Sequence, residues 1–366
     1  MAKSSIVRLI SDFFKLFTYL LLFLYTISSI LPWINATWFW PIAFCSFLFP
    51  YLLISLIICL LIWIFINKRK ALLILIILLL GYKQISSLIA FNKTEFTEIK
   101  PENSIRVVSW NIANMDGKTK KENAKKHKVQ EIIEFLNSQD ADVVCVQEFD
   151  DCSKNCKSLE LVLKKYQYYY FPRWVVGPHF HKSGNFIFSK YPIIKNDITS
   201  YANGENIIRS DIVIRNDTIS FFTTHLSSYI FSKEEFTEIN ETKQIHQFEK
   251  KQQKQILKKL RNTLKAHVNE AEIAHHFMKK TKYPSVFTAD LNEVATSNIY
   301  WKVRGNKQDA FLEKGNGFGK TYNSLWPILR IDVLLTDKKF AIHQFKVKET
   351  ELSDHNLLVA DIELIK

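Results

Sequence analysis

Apolar residues are spread unevenly along the chain. Three runs near its start carry almost no charge: Phe13–Leu31, Trp40–Ile66 and Ala71–Ala90. A helix needs about 20 such residues to cross the hydrocarbon core of a bilayer, so each run predicts a transmembrane helix. The second run is long and holds Pro41 and Pro50, which predicts a kinked or interfacial upper end. Lys83 interrupts the third, near enough to a helix end for its ammonium to snorkel to the headgroups. Trp33, Trp38 and Trp40 flank the first loop, as aromatic side chains do at a membrane interface. No small-residue cleavage site follows the first run, so it does not read as a removable leader.

Beyond Phe91 the pattern becomes that of a water-soluble domain. Residues 92–104 read as a polar linker, and 105–366 as one domain long enough to bury a substantial core. "SIRVVSWNIAN" begins as a strand, and "DVVCVQEFD" is a buried strand that ends in acids. "KENAKKHKVQEIIEFLNSQDA" has helical spacing at Val129, Ile132, Ile133 and Leu136. "GNFIFSKYPIIK" is a strand followed by a proline turn, and "RSDIVIRNDTISFFTTHLSS" a hairpin-like pair ending at His225. Ser232–Thr281 is charged and helical in character, a lysine-rich run of the kind that usually forms a solvated helix face. "YPSVFTADLNE" and "LRIDVLLTDK" supply further strands, and "NLLVADIEL" the last. Four strands carry polar or acidic tips: "SWN", "QE", "TADLN" and "SDH". Apolar strands converging on polar tips predict a packed sheet with a site at one rim.

Charge refines the membrane reading. Up to Phe91 there are seven Lys or Arg against Asp12 alone, so +6 of the formal +13 belongs there and +7 to the rest. Lys3, Arg8 and Lys15 precede or open the first run, the loop after it is uncharged, and "NKRK" lies between the second and third. Positive flanks stay in the cytoplasm. The N-terminus and "NKRK" are therefore expected inside, and a third crossing carries the soluble domain outside. If the third run does not cross, the domain is cytoplasmic. An integral membrane protein with a cytoplasmic N-terminus is what this implies. The +7 of the soluble part suits an anionic substrate, an anionic bilayer or a merely soluble surface. Cys152 and Cys156 form a local pair that either closes a disulfide or stays as two thiols, and no second pair completes a zinc site.

Taken in order, Asn111, Glu148, His225, Asp290, Asn292, Asp332, Asp354 and His355 resemble the site residues of the endonuclease/exonuclease/phosphatase (DNase-I-like) superfamily. The resemblance rests on "SWN", "VQE", "SGNFIFSKYPI", "TTHL", "TADLN", "RIDVLL" and "LSDH", seven motifs in the family's order across residues 105–365. The apolar runs and "GNGFGKTYNS" are similar to a membrane-anchored bacterial subgroup. The resemblance implies a four-layer α/β sandwich, two mixed sheets face to face with helices outside. It implies hydrolysis of a phosphodiester or phosphomonoester by activated water, assisted by Mg2+, for which Mn2+ can substitute. Oxygen ligands suit that ion, and one or two carboxylates suffice.

By the same resemblance, Glu148, Asn111 and Asp354 are expected at the metal. Asp290 is expected to activate the water, with Asn292 and His225 near the phosphate. His355 is expected to contact a phosphate oxygen or move a proton, its ring held by Asp332. Asn185, Arg173 and Lys182 are expected to bind substrate. "YYYFPRWVVGPHFHK" is expected either to line the cleft or to form a sheet-edge loop near the bilayer.

Ala113 stands where some abasic-site endonucleases carry an acid, Lys182 where they carry a tyrosine, and Ala289 replaces the family's usual glycine before the Asp. The first two weaken a DNA-repair reading and leave metal-assisted hydrolysis intact. Nucleic acid, phospholipid and small phosphate esters remain open as substrates, so the specific alternatives are a secreted-side nuclease and a sphingomyelinase-like phosphodiesterase. The lipid bilayer is the other expected partner, and no protein partner is evident. A non-catalytic membrane binding protein of the same fold is the alternative from another class.

Overall fold

The computed structural model describes residues 2–34, 40–93, 95–115, 122–151, 158–172, 182–229, 250–323 and 328–365. Two compact units form, one from Met1–Leu88 with Val294–Trp301, the other from Ile89–Glu293 with Lys302–Lys366. Cys152, Cys156, Arg173 and Trp38 lie outside the described residues.

The first unit is helical: α1 (Ala2–Ile30), α2 (Trp40–Ala43), α3 (Cys45–Ile66), α4 (Lys68–Leu80) and α5 (Tyr82–Leu88). By length and apolarity, Ile6–Trp33 and Cys45–Ile66 are each able to cross a membrane. The third expected helix, over Ala71–Ala90, differs from the sequence reading. It is two helices, α4 and α5, bent by 65°. Gly81 stands at the break because a Cβ there would lie 2.1 Å from the Tyr25 hydroxyl oxygen. That hydroxyl donates to the Leu78 carbonyl at 3.0 Å, in the last turn before the bend. α5 is tied to the end of α1: Gln84 Nε2 donates to the carbonyls of Ser28 and Ser29, both at 2.8 Å. Those carbonyls belong to the last turn of α1, where intrahelical donors run out. Lys83 Nζ lies 3.6 Å from the Trp33 ring centroid, a cation–π contact that relieves a charge in an apolar run.

The second unit holds two six-stranded sheets. One has the order β10 (Gln308–Asp309), β12 (Asp332–Thr336), β9 (Ser285–Asp290), β8 (Asp217–His225), β7 (Asn206–Ile214), β6 (Ile193–Ser200). The other runs β13 (Phe340–Lys348), β14 (Leu357–Leu364), β2 (Ile105–Asn111), β3 (Val143–Asp151), β5 (Lys182–Ser189), β4 (Tyr168–Tyr170). β1 (Ala90–Phe91) pairs with β11 (Asn316–Gly317). Each large sheet is antiparallel except for one central parallel pair, β2 with β3 and β8 with β9. These are the two mixed sheets that the resemblance implied.

Successive residues of a strand face opposite sides, and here both sides are buried. Val107 and Cys145 pack with Ile208, Phe221 and Val286 of the other sheet. Val108, Trp110 and Val144 face outward onto Val129, Ile132 and Leu136 of α6 (Glu122–Ser138), with α7 (Ser158–Leu163) beside it. On the far side Phe222 of β8 meets Phe277 of α8 (Lys250–Met278), ring centroids 5.8 Å apart. α9 (Asn298–Arg304) and α10 (Ala310–Lys314) follow, and Phe311 of α10 enters the inter-sheet core. With the second sheet on one face and helices on the other, β2 is buried at every position, Arg106, Ser109 and Asn111 included.

One buried charge pair ties β2 to β14. The Arg106 guanidinium grips Asp361 with two bonds of 2.7 and 2.8 Å, and Gln344 Nε2 donates to the same carboxylate at 2.6 Å. Burial costs such a pair several kcal/mol of desolvation, about offset when every donor and acceptor is used. Arg330, two residues before Asp332, pairs with Asp309 at 2.7 Å, and Asp332 faces His355.

Candidate active site

The polar tips of both sheets meet at one rim of the second unit. β2 ends at Asn111, whose amide nitrogen donates to Glu148 Oε1 at 3.1 Å and to Asp290 Oδ2 at 2.9 Å. One side chain thus links a carboxylate of one sheet to a carboxylate of the other. Asn111 Oδ1 accepts from the Ala113 N–H at 3.0 Å, so it faces a cation only if that amide turns. Asn114 Nδ2 donates to the second oxygen of Glu148 at 2.8 Å.

Two backbone distortions aim these groups. β3 bulges between Val146 and Phe149, where two residues oppose the single Asn185 of β5. Glu148 lies in that bulge with φ 51°, a left-handed conformation costly for a residue with a Cβ. Its neighbour Gln147 turns into the inter-sheet space and donates to Thr223 Oγ1 at 2.8 Å. Bulges re-aim side chains in this way. Asn292, just past β9, has φ 49°, which asparagine tolerates better. Its backbone N–H donates to Asp290 Oδ1 at 2.8 Å. Its amide nitrogen donates to the Leu226 carbonyl at 2.9 Å and lies 3.0 Å from His225 Nε2.

The two histidines flank the carboxylates. His225 Nε2 is 3.4 Å from Glu148 Oε1 and 3.6 Å from Asp290 Oδ2, and its Nδ1 faces Glu205 Oε1 at 3.4 Å. Burial would discharge this ring, but Glu205, Asp290 and Glu148 outweigh it and lift its pKa to about 10. His355 Nδ1 lies 3.0 Å from Asp332 Oδ2, leaving Nε2 3.6 Å from Asp290 Oδ2. Burial opposes charge on His355 too, yet Asp332 and Asp290 hold it protonated above its ordinary range. Burial pushes Asp332 upward against the pull of the imidazolium.

His355 is fixed from every side. Its backbone carbonyl accepts from Trp110 Nε1 at 2.9 Å, its N–H donates to Ser353 Oγ at 3.1 Å, and its ring lies 4.8 Å from that of Tyr322. Asp332 receives its own support from Thr321, whose Oγ1 accepts the Asp332 N–H at 3.1 Å.

The expected residues therefore divide. Asn111, Glu148, His225, Asp290, Asn292, Asp332 and His355 come together. Asp354 adjoins them in sequence, half-buried, with its Oδ1 3.5 Å from Ser353 Oγ. Asn185 is buried on β5 and donates to the Asn206 carbonyl at 2.9 Å; its Oδ1 is buried without a hydrogen-bond donor. Lys182 opens β5, and its side chain is outside the described residues, as is all of Arg173. Asn114, Glu205, Thr321 and Tyr322 were not expected. No motif marks Glu205, which reaches His225 only through the β6–β7 turn.

The donor set fits a hard divalent cation. Asp290 and Asp332 bring carboxylate oxygens within 4.8 Å of one another and of the His355 ring, which could ligate only in its neutral form, and Asn111 links Asp290 to the further carboxylate of Glu148. Carboxylate oxygens around a polar, partly open rim are what magnesium or manganese binds, whereas thiolates are absent from the cluster.

Comparison with known proteins agrees with the geometry. A model of the endonuclease/exonuclease/phosphatase family matches residues 108–355. A domain of unknown function matches residues 11–88. No curated protein matches the sequence. Among solved structures, an endonuclease/exonuclease/phosphatase from Beutenbergia cavernae is similar at TM-score 0.52 and 17% identity, over 72% of each chain. A mannosyl-6-phosphatase from Bacteroides thetaiotaomicron is similar at TM-score 0.50 and 15% identity, over 71% of this chain and 99% of its own. The human Nocturnin catalytic domain with bound sulfate gives TM-score 0.50 and 15% identity, over 73% and 96%. At such identities the likeness is one of fold, and the family match carries the assignment: with its two mixed sheets and seven converging site residues, the chain belongs to the endonuclease/exonuclease/phosphatase family of phosphoester hydrolases.

Proposed function

We propose that the protein is a membrane-anchored, divalent-metal-dependent phosphoesterase whose catalytic domain, 105–366, faces away from the cytoplasm. The observation that carries the hydrolytic reading is the convergence on Asp290 Oδ2 of His225 Nε2 and His355 Nε2, both at 3.6 Å, with Asn111 at 2.9 Å.

Glu148, with Asp354 and with Asn111 once its amide turns its oxygen from the Ala113 N–H, would hold Mg2+ or Mn2+. Bound there, the ion would neutralise charge on the phosphate and on its leaving oxygen. Asp290 is positioned to accept a proton from the attacking water, its Oδ1 pinned by the Asn292 N–H. Asn292 and His225 would hydrogen-bond the phosphate. His355 presents Nε2 to the same space while Asp332 fixes the opposite ring nitrogen, so the ring is poised to donate to a phosphate oxygen. Asn185, Arg173 and Lys182 would contact more of the substrate. The ester class stays open: the mannosyl-6-phosphatase relative carries a phosphomonoester in its name, and the alternatives with nucleic acid or phospholipid use the same chemistry.

Orientation is supported by the helical unit. With Lys3, Arg8 and Lys15 in the cytoplasm, α1 runs outward and its last turn lies at the outer face. Gln84 of α5 bonds to that same turn. On that orientation the bend at Gly81 would keep the end of α5 near the outer face, which favours a domain on the outside.

Asp290→Asn should lower kcat by about 10²–10⁴-fold with Mg2+ on a p-nitrophenyl phosphate monoester or diester, KM changing little. A variant as fast as the parent would remove Asp290 from the chemistry. The pH profile tests the histidine. A partner that raises the folded pKa keeps the ring protonated to higher pH, so Asp332→Asn should shift the alkaline limb of kcat/KM to lower pH; an unmoved limb would refute the role given to His355. A periplasm-dependent phosphatase reporter fused after Lys93 should be active, and a fluorescent protein that folds only in the cytoplasm dark. The reverse pattern would place the domain inside.

A further inference from the structure

A second charged cleft lies at the other end of the strands that carry the candidate site. β9 runs from Ser285 to Asp290, and β12 lies antiparallel to it, Thr336 opposite Val286 and Asp332 opposite Asp290. Asp290 and Asp332 mark one rim. Ser285 and Asp337 mark the opposite rim, roughly 17 Å away for five residues at ~3.3 Å each. There the end of α8, the end of α9 and the turns after β12 and before β9 enclose a cleft of about 560 Å³.

Its charge is lopsided. Lys279, Lys282, Arg304, Lys307, Lys338 and Lys339 line it, against the single carboxylate of Asp337. That surplus of five compares with +7 for the whole chain after Phe91. The one carboxylate is already used: Lys307 Nζ donates to Asp337 Oδ1 and to Ser285 Oγ, both at 2.5 Å, and Ser285 N–H and Oγ donate to Asp337 Oδ2 at 2.7 and 2.8 Å. Lys338 and Lys339 are exposed at the turn. Burial and then the repulsion of Lys279 and Lys302 lower His275, and burial lowers Lys307 despite its partner. Helix ends explain part of this composition, since α8 and α9 both finish here and cations favour the C-terminal end of a helix dipole. They do not explain Lys338 and Lys339, which belong to a strand turn.

We propose that this cleft is a second, non-catalytic site for a phosphate-bearing anion, separate from the hydrolytic rim. Several ammonium groups and a guanidinium around a partly enclosed volume suit a group with more than one negative oxygen. The ligand is either a free phosphate compound or the headgroup of an anionic phospholipid. The cleft opens on the face opposite the catalytic carboxylates, so it would hold a partner while a substrate occupies the other rim.

The test uses the full chain in phosphatidylcholine nanodiscs, with EDTA to remove divalent ions. In one arm it is titrated with pyrophosphate by calorimetry. In the other it is floated with phosphatidylglycerol vesicles. The comparison protein carries Lys338→Glu and Lys339→Glu, whose exposed positions spare the core; an unchanged thermal midpoint confirms folding. Binding in either arm that the double variant weakens tenfold or more supports the site, and the responding arm names the source of the phosphate. Lys279→Glu, on a different element, should weaken the same arm. No binding in either arm, or equal binding by parent and variants, overturns the proposal.

Discussion

Buried negative charge is the constraint on which the arrangement of this domain depends. Glu148, Asp290 and Asp332 crowd one rim, and Asp290 and Asp332 are almost wholly shielded from solvent. Carboxylates cannot leave water unless hydrogen bonds and opposite charge replace it. Each neighbouring feature supplies part of that replacement. Asn111 donates to two of the acids, Asn292 and Thr321 offer backbone-anchored support, and the two imidazoles are pulled towards their charged forms. The left-handed backbone at Glu148 is a further cost accepted to aim one carboxylate at the others. A divalent cation, in the proposed reading, completes the same balance.

The sandwich frames this cluster because two independent parallel pairs bring it together. Asn111 and Gln147 are register partners on β2 and β3, and His225 and Asp290 on β8 and β9. Adjacent parallel strands end at the same rim, so polar tips on them become neighbours without any contact nearby in sequence. The apolar remainder of each strand is buried on both faces and fixes the register, since a slip of one residue would move every side chain to the opposite face.

Much of this was legible in the residues. Apolar strands with polar ends marked Asn111, Glu148 and Asp290, and the order of the motifs tied them to His355 across some 245 residues of chain. Periodicity likewise located α6 and the hairpin ending at His225. Other features arise only from tertiary structure. The bulge that turns Glu148 inward leaves no signature in "VQEFD". Glu205 meets His225 only because β6 and β7 fold back together, and Tyr322 meets His355 through an isolated bridge between two loops. The third apolar run read as continuous because Gly81 alone does not break a helix; the Tyr25 side chain packed against it accounts for the bend. The orientation of the Asn111 amide was equally hidden. Residue type alone did not show that its nitrogen is turned to the two carboxylates and its oxygen to the Ala113 N–H.

In the proposed reading, a hydrolase held beside a bilayer is restricted in what it meets more than in what it can cleave. In that reading the proposed catalytic groups would act on the phosphorus centre and be indifferent to the alcohol beyond it, so specificity would fall to the surrounding side chains. The claim beneath all of this is that the acidic rim binds a divalent ion. Calorimetric titration of the full chain with Mg2+ and Mn2+, beside Glu148→Gln, tests it most directly. The account predicts saturable binding by the parent and at least a tenfold loss of affinity in the variant. Absence of binding in the parent, or equal affinity in both, would contradict it.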